Sequence, residues 1–384
     1  MISRADNSLL AEWWRTIDKP LLSCLLILML CGFLMSFAAS PPVADRIGVE
    51  EFHFIKRHAL FLLPAVAVLI GFSMMNPRQV RRVAFILFAV SIVGLLLTLF
   101  IGSEVKGSRR WIYLGGFTLQ PSEFVKPTFV VITAWLFAEN TRRPDIPGNL
   151  FSIILFGIVA ALLIAQPDFG QTMLVAGAWG VLFFMAGMPW MWIAALGAIG
   201  VVGMGTAYMF FDHVAGRIDR FLTGEGDNYQ VDTGMEAILN GGWLGRGPGE
   251  GTIKNILPDS HTDFSFAVAA EEFGIIACIL LVGLFAFIVL RGLSKALEEK
   301  DAYIRMSAAG LVVLFGFQSM INIGVNLQLL PAKGMTLPFI SYGGSSMLAM
   351  AIGMGFLLSL TRSRPEARQS PSIGFSAPMV RPAE

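Results

Sequence analysis

The sequence predicts an all-α polytopic membrane protein of about ten transmembrane helices, with one large extracytoplasmic loop between helices seven and eight. Three observations carry that prediction. Only 14% of the 384 residues are charged and 55% are hydrophobic, against roughly 25% and ~45–50% in soluble domains, so the chain has too few charges to cover a soluble surface. The mean hydropathy is +0.67. The apolar excess also falls in blocks of about 20 residues, the length that crosses a bilayer core while satisfying its own backbone hydrogen bonds.

Taken in order, residues 1–20 form a cytoplasmic N-terminal segment, with Trp13 and Trp14 placed where amphipathic rings favour the membrane interface. The apolar blocks are 21–39, 59–75, 83–101, 122–137, 150–165, 172–187, 191–211, 264–290, 307–327 and 339–360, which together define one transmembrane domain over 21–360. The first block exceeds the ~7–15 apolar residues of a signal peptide, so an uncleaved helix is expected. Only Met188-Pro189 separates the sixth block from the seventh. Residues 212–262 form the large loop. Residues 361–384, rich in Pro, Ser and Arg, predict a disordered cytoplasmic tail.

Lys and Arg are more frequent on the side of the two termini, which places both termini of the multi-pass chain in the cytoplasm. Cations nevertheless also fall outside, at Lys106, Arg109 and Arg110 and at Arg217, Arg220, Arg246 and Lys254, where they either meet an anionic ligand or, as is more frequent, make a solvated loop face. Lys+Arg 28 against Asp+Glu 27 leaves no basic field for nucleic acid. Cys24, Cys31 and Cys278 lie inside apolar blocks without CxxC spacing, and His53, His58, His213 and His261 form no HExxH, so neither a disulfide framework nor a zinc site is expected. No P-loop and no evident inverted repeat are present, which argues against an ATPase and a secondary transporter.

Ionisable groups at membrane depth cost at least ~2.5–3.5 kcal/mol each and so require a partner or a wet cavity. Glu123 and Lys126, at i and i+3 in the fourth block, are spaced to pair on one helix face. Gln120-Pro121-Ser122 marks the start of that helix, with Ser122 as its cap. Asp168, in the turn Gln166-Pro167-Asp168-Phe169-Gly170-Gln171, is either a turn residue or the cap of the next helix. Glu271 and Glu272 lie one to two turns into the eighth block and call for an aqueous vestibule or a cation such as Lys126. The glycine run over 241–251, with two cations nearby, could offer backbone nests to a phosphate. Thr262 or Asp263 could cap the eighth helix; alternatively Asp263 is a catalytic carboxylate at the lipid–water boundary. His261 stands beside it, but no GxSxG nucleophile elbow accompanies the pair.

The segments Gly107-Ser108-Arg109-Arg110-Trp111-Ile112, Gln120-Pro121-Ser122-Glu123-Phe124-Val125-Lys126 and Gln166-Pro167-Asp168-Phe169-Gly170 occur in this order. They are followed by 257–267 (LPDSHTDFSFA), Glu271-Glu272-Phe273-Gly274, and Leu337-Pro338-Phe339-Ile340-Ser341-Tyr342-Gly343-Gly344-Ser345-Ser346. This pattern resembles the SEDS family (shape, elongation, division and sporulation) from the first block to the last. The 338–341 sequence, the Trp13-Trp14 segment and the stretch 330–336 are more similar to its division branch than to its elongation branch.

The resemblance implies a ten-helix fold and a peptidoglycan glycosyltransferase that polymerises lipid II during septal wall synthesis. It implies Asp263 as the essential acid, acting as general base in an inverting transfer, and Glu123 and Lys126 as an essential polar pair. Arg109, Arg110, Asp168, His261, Glu271, Glu272, Ser341, Gly343 and Gly344 are then candidates for substrate binding or essential polar roles. Arg109, Arg110, Lys126, Arg217 and Arg220 are the candidate cations for the leaving pyrophosphate, with a divalent ion (Mg or Mn) there as the alternative and no other cofactor implied. The resemblance also implies the bacterial inner membrane as the chain's location. The implied partners are a class B penicillin-binding protein that cross-links, and other division membrane proteins at the septum. The alternatives are a lipid II flippase and a polymerase of cell elongation.

Overall fold

The computed structural model describes residues 8–105, 108–115, 117–210, 212–223, 228–331 and 334–363. Each of the ten apolar blocks corresponds to a helix. These are α2 (Lys19–Ala39), α4 (His53–Ser73), α5 (Pro77–Ile101), α6 (Pro121–Arg142), α7 (Gly148–Ala165), α8 (Phe169–Met185), α9 (Trp190–Phe210), α12 (Ser265–Glu298), α13 (Ala302–Asn326) and α14 (Gly344–Leu360). Seven of them are long and apolar enough to cross a membrane, and α8 and α14 are shorter apolar helices. The tenth, α6, fails the composition criterion because it carries Glu123, Lys126, Glu139 and Arg142, and it is buried along most of its length. The expected tail lies mostly outside the described residues.

The polar α6 stands at the centre. It packs against α5, α7, α8, α13 and α14, while α14 lies along α4 and α12 crosses α2 and α13. This order follows from composition: α6, α13 and α14 hold the polar and small side chains that only a protein environment tolerates at membrane depth. By contrast, α9 is apolar all round and almost wholly exposed, as a helix facing lipid should be.

Several elements depart from the sequence reading. On the side of the termini, α1 (Leu9–Thr16) is an amphipathic helix capped by Ser8. Trp13 donates its indole N–H to Ser73 Oγ on α4 (2.8 Å), and Arg362, just after α14, donates to Thr16 Oγ1 (2.8 Å), which ties α1 to both helices. On the opposite side, β1 (Ser103–Val105), β2 (Ser108–Leu114) and β3 (Phe117–Leu119) form a three-stranded antiparallel sheet. The large loop contains α10 (Asp212–Thr223) and α11 (Tyr229–Gly241), and α3 (Pro41–Ile47) follows α2. Helix α6 starts at Pro121 with Gln120 at the cap position, so Ser122 is no cap and its hydroxyl lies buried without a hydrogen-bond partner. The last block is helical only from Gly344. Before it, 337–341 form a turn in which Phe339 has φ 64. That turn lies against α2, where a β-carbon at Gly32 would stand 1.9 Å from the Phe339 carbonyl oxygen.

The glycine run is a clasp rather than a phosphate nest. Helix α12 breaks at Gly274, which has φ 80. The backbone groups freed by the break are taken by the loop: Arg246 and Gly247 N–H donate to the Glu271 and Glu272 carbonyls (2.9 and 3.0 Å), and Ile275 N–H donates to Gly242 O (2.9 Å). A β-carbon at Gly274 would meet Trp243 O at 2.4 Å and Gly245 N at 2.5 Å, and the left-handed φ disfavours one anyway. Gly274→Ala is expected to lower the thermal midpoint of the purified protein by several degrees, whereas Gly283→Ala, in open space on the same helix, is not.

Candidate active site

A chamber of about 920 Å³ opens on the side of the sheet and the large loop. Its walls come from α4 (Arg57, Phe61), the sheet (Arg110, Trp111, Phe117), α6 (Glu123), α8 (Gln171), and α10 and α11 (Arg220, Tyr229, Asp232). The turn before α12 (Asp259, Thr262, Asp263), the residues Gln328, Leu330, Pro331, Gly334 and Thr336, and residues 342–346 close it. Three arginines and four carboxylates therefore share one cavity.

The turn that presents Asp263 is tightly specified. Asp259 takes φ 52, and its carbonyl accepts the N–H groups of Thr262, Asp263 and Phe264 (3.0, 3.1 and 3.3 Å). Helix α12 starts with Phe264 at the cap position and no side-chain cap, so neither Thr262 nor Asp263 serves that purpose. Instead the Asp263 main-chain carbonyl accepts the side-chain amides of Asn322 (2.9 Å) and Asn326 (3.0 Å). Its carboxylate lies beside Gly334, where a β-carbon would stand 3.4 Å from Oδ2.

Glu123 and Lys126 form the expected pair, with Nζ to Oε2 at 2.9 Å and both side chains buried. Lys126 Nζ also donates to Gln318 Oε1 (2.9 Å), and Gln171 donates to Glu123 Oε1 (2.8 Å). Glu123 lines the chamber while Lys126 lies behind it. The lysine charge is thus matched within the protein and does not face the space a pyrophosphate would enter.

The remaining candidates divide. Asp168 caps α8, accepting from Gln171 N–H (3.3 Å), and stands 3.5 Å from Arg110. Arg110 also donates to the Gln166 and Pro167 carbonyls. Arg109, the preceding residue of β2, does not line the chamber. Arg220 lines it; the side chain of Arg217 lies outside the described residues. Ser341 Oγ accepts from Leu337 N–H (2.9 Å), fixing the turn that leads to Gly343 and Gly344, both chamber residues. A β-carbon at Gly344 would meet the Phe61 ring at 2.6 Å.

Glu271 and Glu272 are not chamber residues, and their partner is not Lys126. Glu271 accepts the N–H groups of Thr252, Ile253 and Lys254 and the Asn240 amide, and Glu272 pairs with the Lys254 ammonium. They anchor the clasp to α12. Sequence reasoning missed Arg57, which lines the chamber and donates to the Tyr342 hydroxyl. The apolar block begins at 59, but α4 begins at His53, and Arg57 stands in its first turns.

His261 packs between Phe54 (4.7 Å) and Tyr342 (5.6 Å) and is absent from the chamber wall. Burial lowers its imidazolium to about 4 from 6.5, so it is neutral at pH 7. The unfolded chain binds more protons between those two values, so the stability contributed by neutral His261 is complete above 6.5 and lost as pH falls toward 4. The thermal midpoint of the wild type is therefore expected to fall between pH 6.5 and 4.5 more steeply than that of His261→Gln.

A carboxylate at the mouth of a buried polar chamber, faced by guanidinium groups, can accept a proton while an anionic leaving group departs. The chain matches the model of the FTSW_RODA_SPOVE family, described as "Cell cycle protein", over residues 19–366. It is similar to the "Probable peptidoglycan glycosyltransferase FtsW" of Caulobacter vibrioides, 47% identical over 367 residues that cover 95% of this chain and 94% of that one. A protein of the same name from Pseudoalteromonas translucida is 35% identical, with 89% and 88% covered. Among solved structures, the chain is similar to one in a peptidoglycan synthase complex studied for the coordination of polymerization and crosslinking, with TM-score 0.76, 26% identity, and 92% and 99% covered. It is also similar to the rod shape determining protein RodA of Thermus thermophilus, with TM-score 0.66, 26% identity, and 91% and 97% covered.

Proposed function

The chain belongs to the FtsW/RodA/SpoVE family of cell cycle proteins, and from that membership we propose that it is a peptidoglycan glycosyltransferase polymerising lipid II into glycan strands for the division septum. One observation carries the site assignment: Asp263, on a turn held by two asparagines, shares its chamber with Arg57, Arg110 and Arg220. In the transfer, the 4-hydroxyl oxygen of the acceptor GlcNAc attacks C1 of the donor MurNAc. The new C1–O4 bond forms as the bond from C1 to the lipid pyrophosphate breaks, the hydroxyl proton passes to the Asp263 carboxylate, and the bonding pair leaves with the pyrophosphate. An α-linked donor gives a β-linked product, so the step is a single inversion. The arginines meet charge where it develops, which is where fixed electrostatics contribute most.

Among the described residues no cluster of three or more His, Cys, Asp or Glu side chains is arranged to hold a metal. A divalent ion here would take most of its ligands from the pyrophosphate and water, with one chamber carboxylate, as Mg²⁺ does at phosphates. It would supply charge neutralisation; the protein's own residues supply the base and the orientation.

The chain is a multi-pass membrane protein. With its termini cytoplasmic, the chamber faces outward, toward the site where strands assemble. Its partner is a class B penicillin-binding protein that cross-links the product, a reading supported by the synthase complex whose polymerising chain it resembles. The test is conversion of labelled lipid II to polymer by the purified protein with that partner. Polymer is expected. Lipid II flipping in vesicles with no polymer in any condition would replace this reading with transport.

A further inference from the structure

We propose that Gln318, Asn322 and Asn326 are positioning residues for the chemistry at Asp263, an inference that rests on the glycosyltransferase reading and deepens it. They stand at i, i+4 and i+8 on α13 and so form one stripe along a helix face. All three are buried, at 1%, 2% and 0% exposure. Polar side chains at such a depth persist only where their hydrogen bonds are met.

Asn322 and Asn326 meet theirs on the turn before α12. Both Nδ2 groups donate to the Asp263 carbonyl (2.9 and 3.0 Å), and Asn326 Oδ1 accepts Ala267 N–H (3.1 Å) in the first turn of α12. That helix start has no side-chain cap of its own. Asn322 Nδ2 also donates to Met335 O (2.6 Å), and Gln318 Nε2 donates to Thr336 O (3.1 Å). Thr336 is a chamber residue, and its hydroxyl lies 2.8 Å from that of Ser346, another chamber residue. Gln318 Oε1 accepts from Lys126 Nζ, which ties the same stripe to the Glu123 pair.

One helix face thus fixes the Asp263 turn, the segment Met335–Thr336 next to Gly334 and the buried pair on α6. None of the three amides lines the chamber itself. Their effect on the reaction therefore passes through the groups they hold, and a 1 Å misplacement of a reacting group costs on the order of 10²-fold in rate. Lys126 has the same character: it is matched by Glu123 and Gln318 and acts through them.

The test is steady-state polymerisation of labelled lipid II by the full chain with its transpeptidase partner, for wild type, Asn322→Ala, Asn326→Ala and Asp263→Ala. Thermal midpoint and partner binding are measured on the same preparations. Asn322→Ala is expected to lower kcat about 10- to 100-fold with KM within about twofold of wild type. Asn326→Ala, which leaves the Asn322 bonds in place, should give a smaller loss of the same kind. A purely structural role would reduce active enzyme only in proportion to the folded fraction and leave kcat per folded molecule unchanged; that result overturns the proposal. So does a rise in KM with kcat intact. If Asn322→Ala fails to assemble, Asn326→Ala decides alone by the same criteria. Full activity in Asp263→Ala would remove the base assignment itself, whereas an inactive Asp263→Ala beside fully active asparagine variants would remove only this inference.

Discussion

Lys126→Ala is expected to destabilise the protein by about 3–5 kcal/mol, because it leaves the Glu123 carboxylate buried without its cation. The carboxylate keeps the Gln171 amide, but its Oε2 loses the ammonium at 2.9 Å and Gln318 loses the donor to its Oε1. A double replacement by groups of similar shape, Glu123→Gln with Lys126→Met, removes both charges and should recover most of the thermal midpoint. Exchanging the charges, Glu123→Lys with Lys126→Glu, separates structure from chemistry further. The exchanged carboxylate would face Gln318 Oε1, so the amide must turn over to donate, and Gln318 Nε2 then leaves Thr336. Stability is expected to return while polymerisation stays low. Full recovery of both would mean that the pair is only a bridge and that the α13 stripe tolerates rearrangement.

Asp263→Asn is expected to lower polymerisation by about 10²- to 10⁴-fold, the contribution of a positioned general base. The replacement keeps size and shape, and the bonds from Asn322 and Asn326 fall on the main-chain carbonyl, which the change does not touch. Folding and partner binding should therefore remain at wild-type levels, which measured melting and co-purification check. Asp263→Glu retains the carboxylate on a longer stem beside Gly334 and should be impaired mainly through misplacement. A loss of lipid II binding in Asp263→Asn, with the chemical step unchanged, would move the residue from proton transfer to substrate recognition.

Much of the fold was legible because membrane helices are written in composition. All ten apolar blocks became helices, and even α6, with its buried charges, was found from its apolar residues and the proline start. Hydropathy averaging is blind to features that a distant segment decides. The break at Gly274 exists because 242–247 supplies the backbone partners for it, and nothing local distinguishes it from Gly283 in the same apolar run. The partner of Glu272 is likewise Lys254, 18 residues back on the clasp, where the sequence suggested Lys126. Among the described residues, the short strands β1, β2 and β3 pair with one another alone and carry no long alternating pattern.

The site was half legible. Asp263, the Glu123–Lys126 pair, Arg110, Gly343 and Gly344 were reached from depth, spacing and resemblance, and all but Lys126 line the chamber. Arg57, Asp232, Asp259 and Thr336 were not, because each enters the cavity from an element whose neighbours are set by packing. Gln318, Asn322 and Asn326 did leave a signal, three amides four residues apart inside an apolar helix, and it is the same kind of signal that drew attention to Glu123.

Release of undecaprenyl pyrophosphate from labelled lipid II in a single turnover, by wild type and Asp263→Ala assembled with the same transpeptidase, tests the central claim most directly. Rapid release coupled to a new glycosidic bond in the wild type, and neither event in the variant at equal lipid II binding, is the predicted result. Release and bond formation at the wild-type rate in Asp263→Ala would contradict it, and the proton would have to be taken by another group of the chamber.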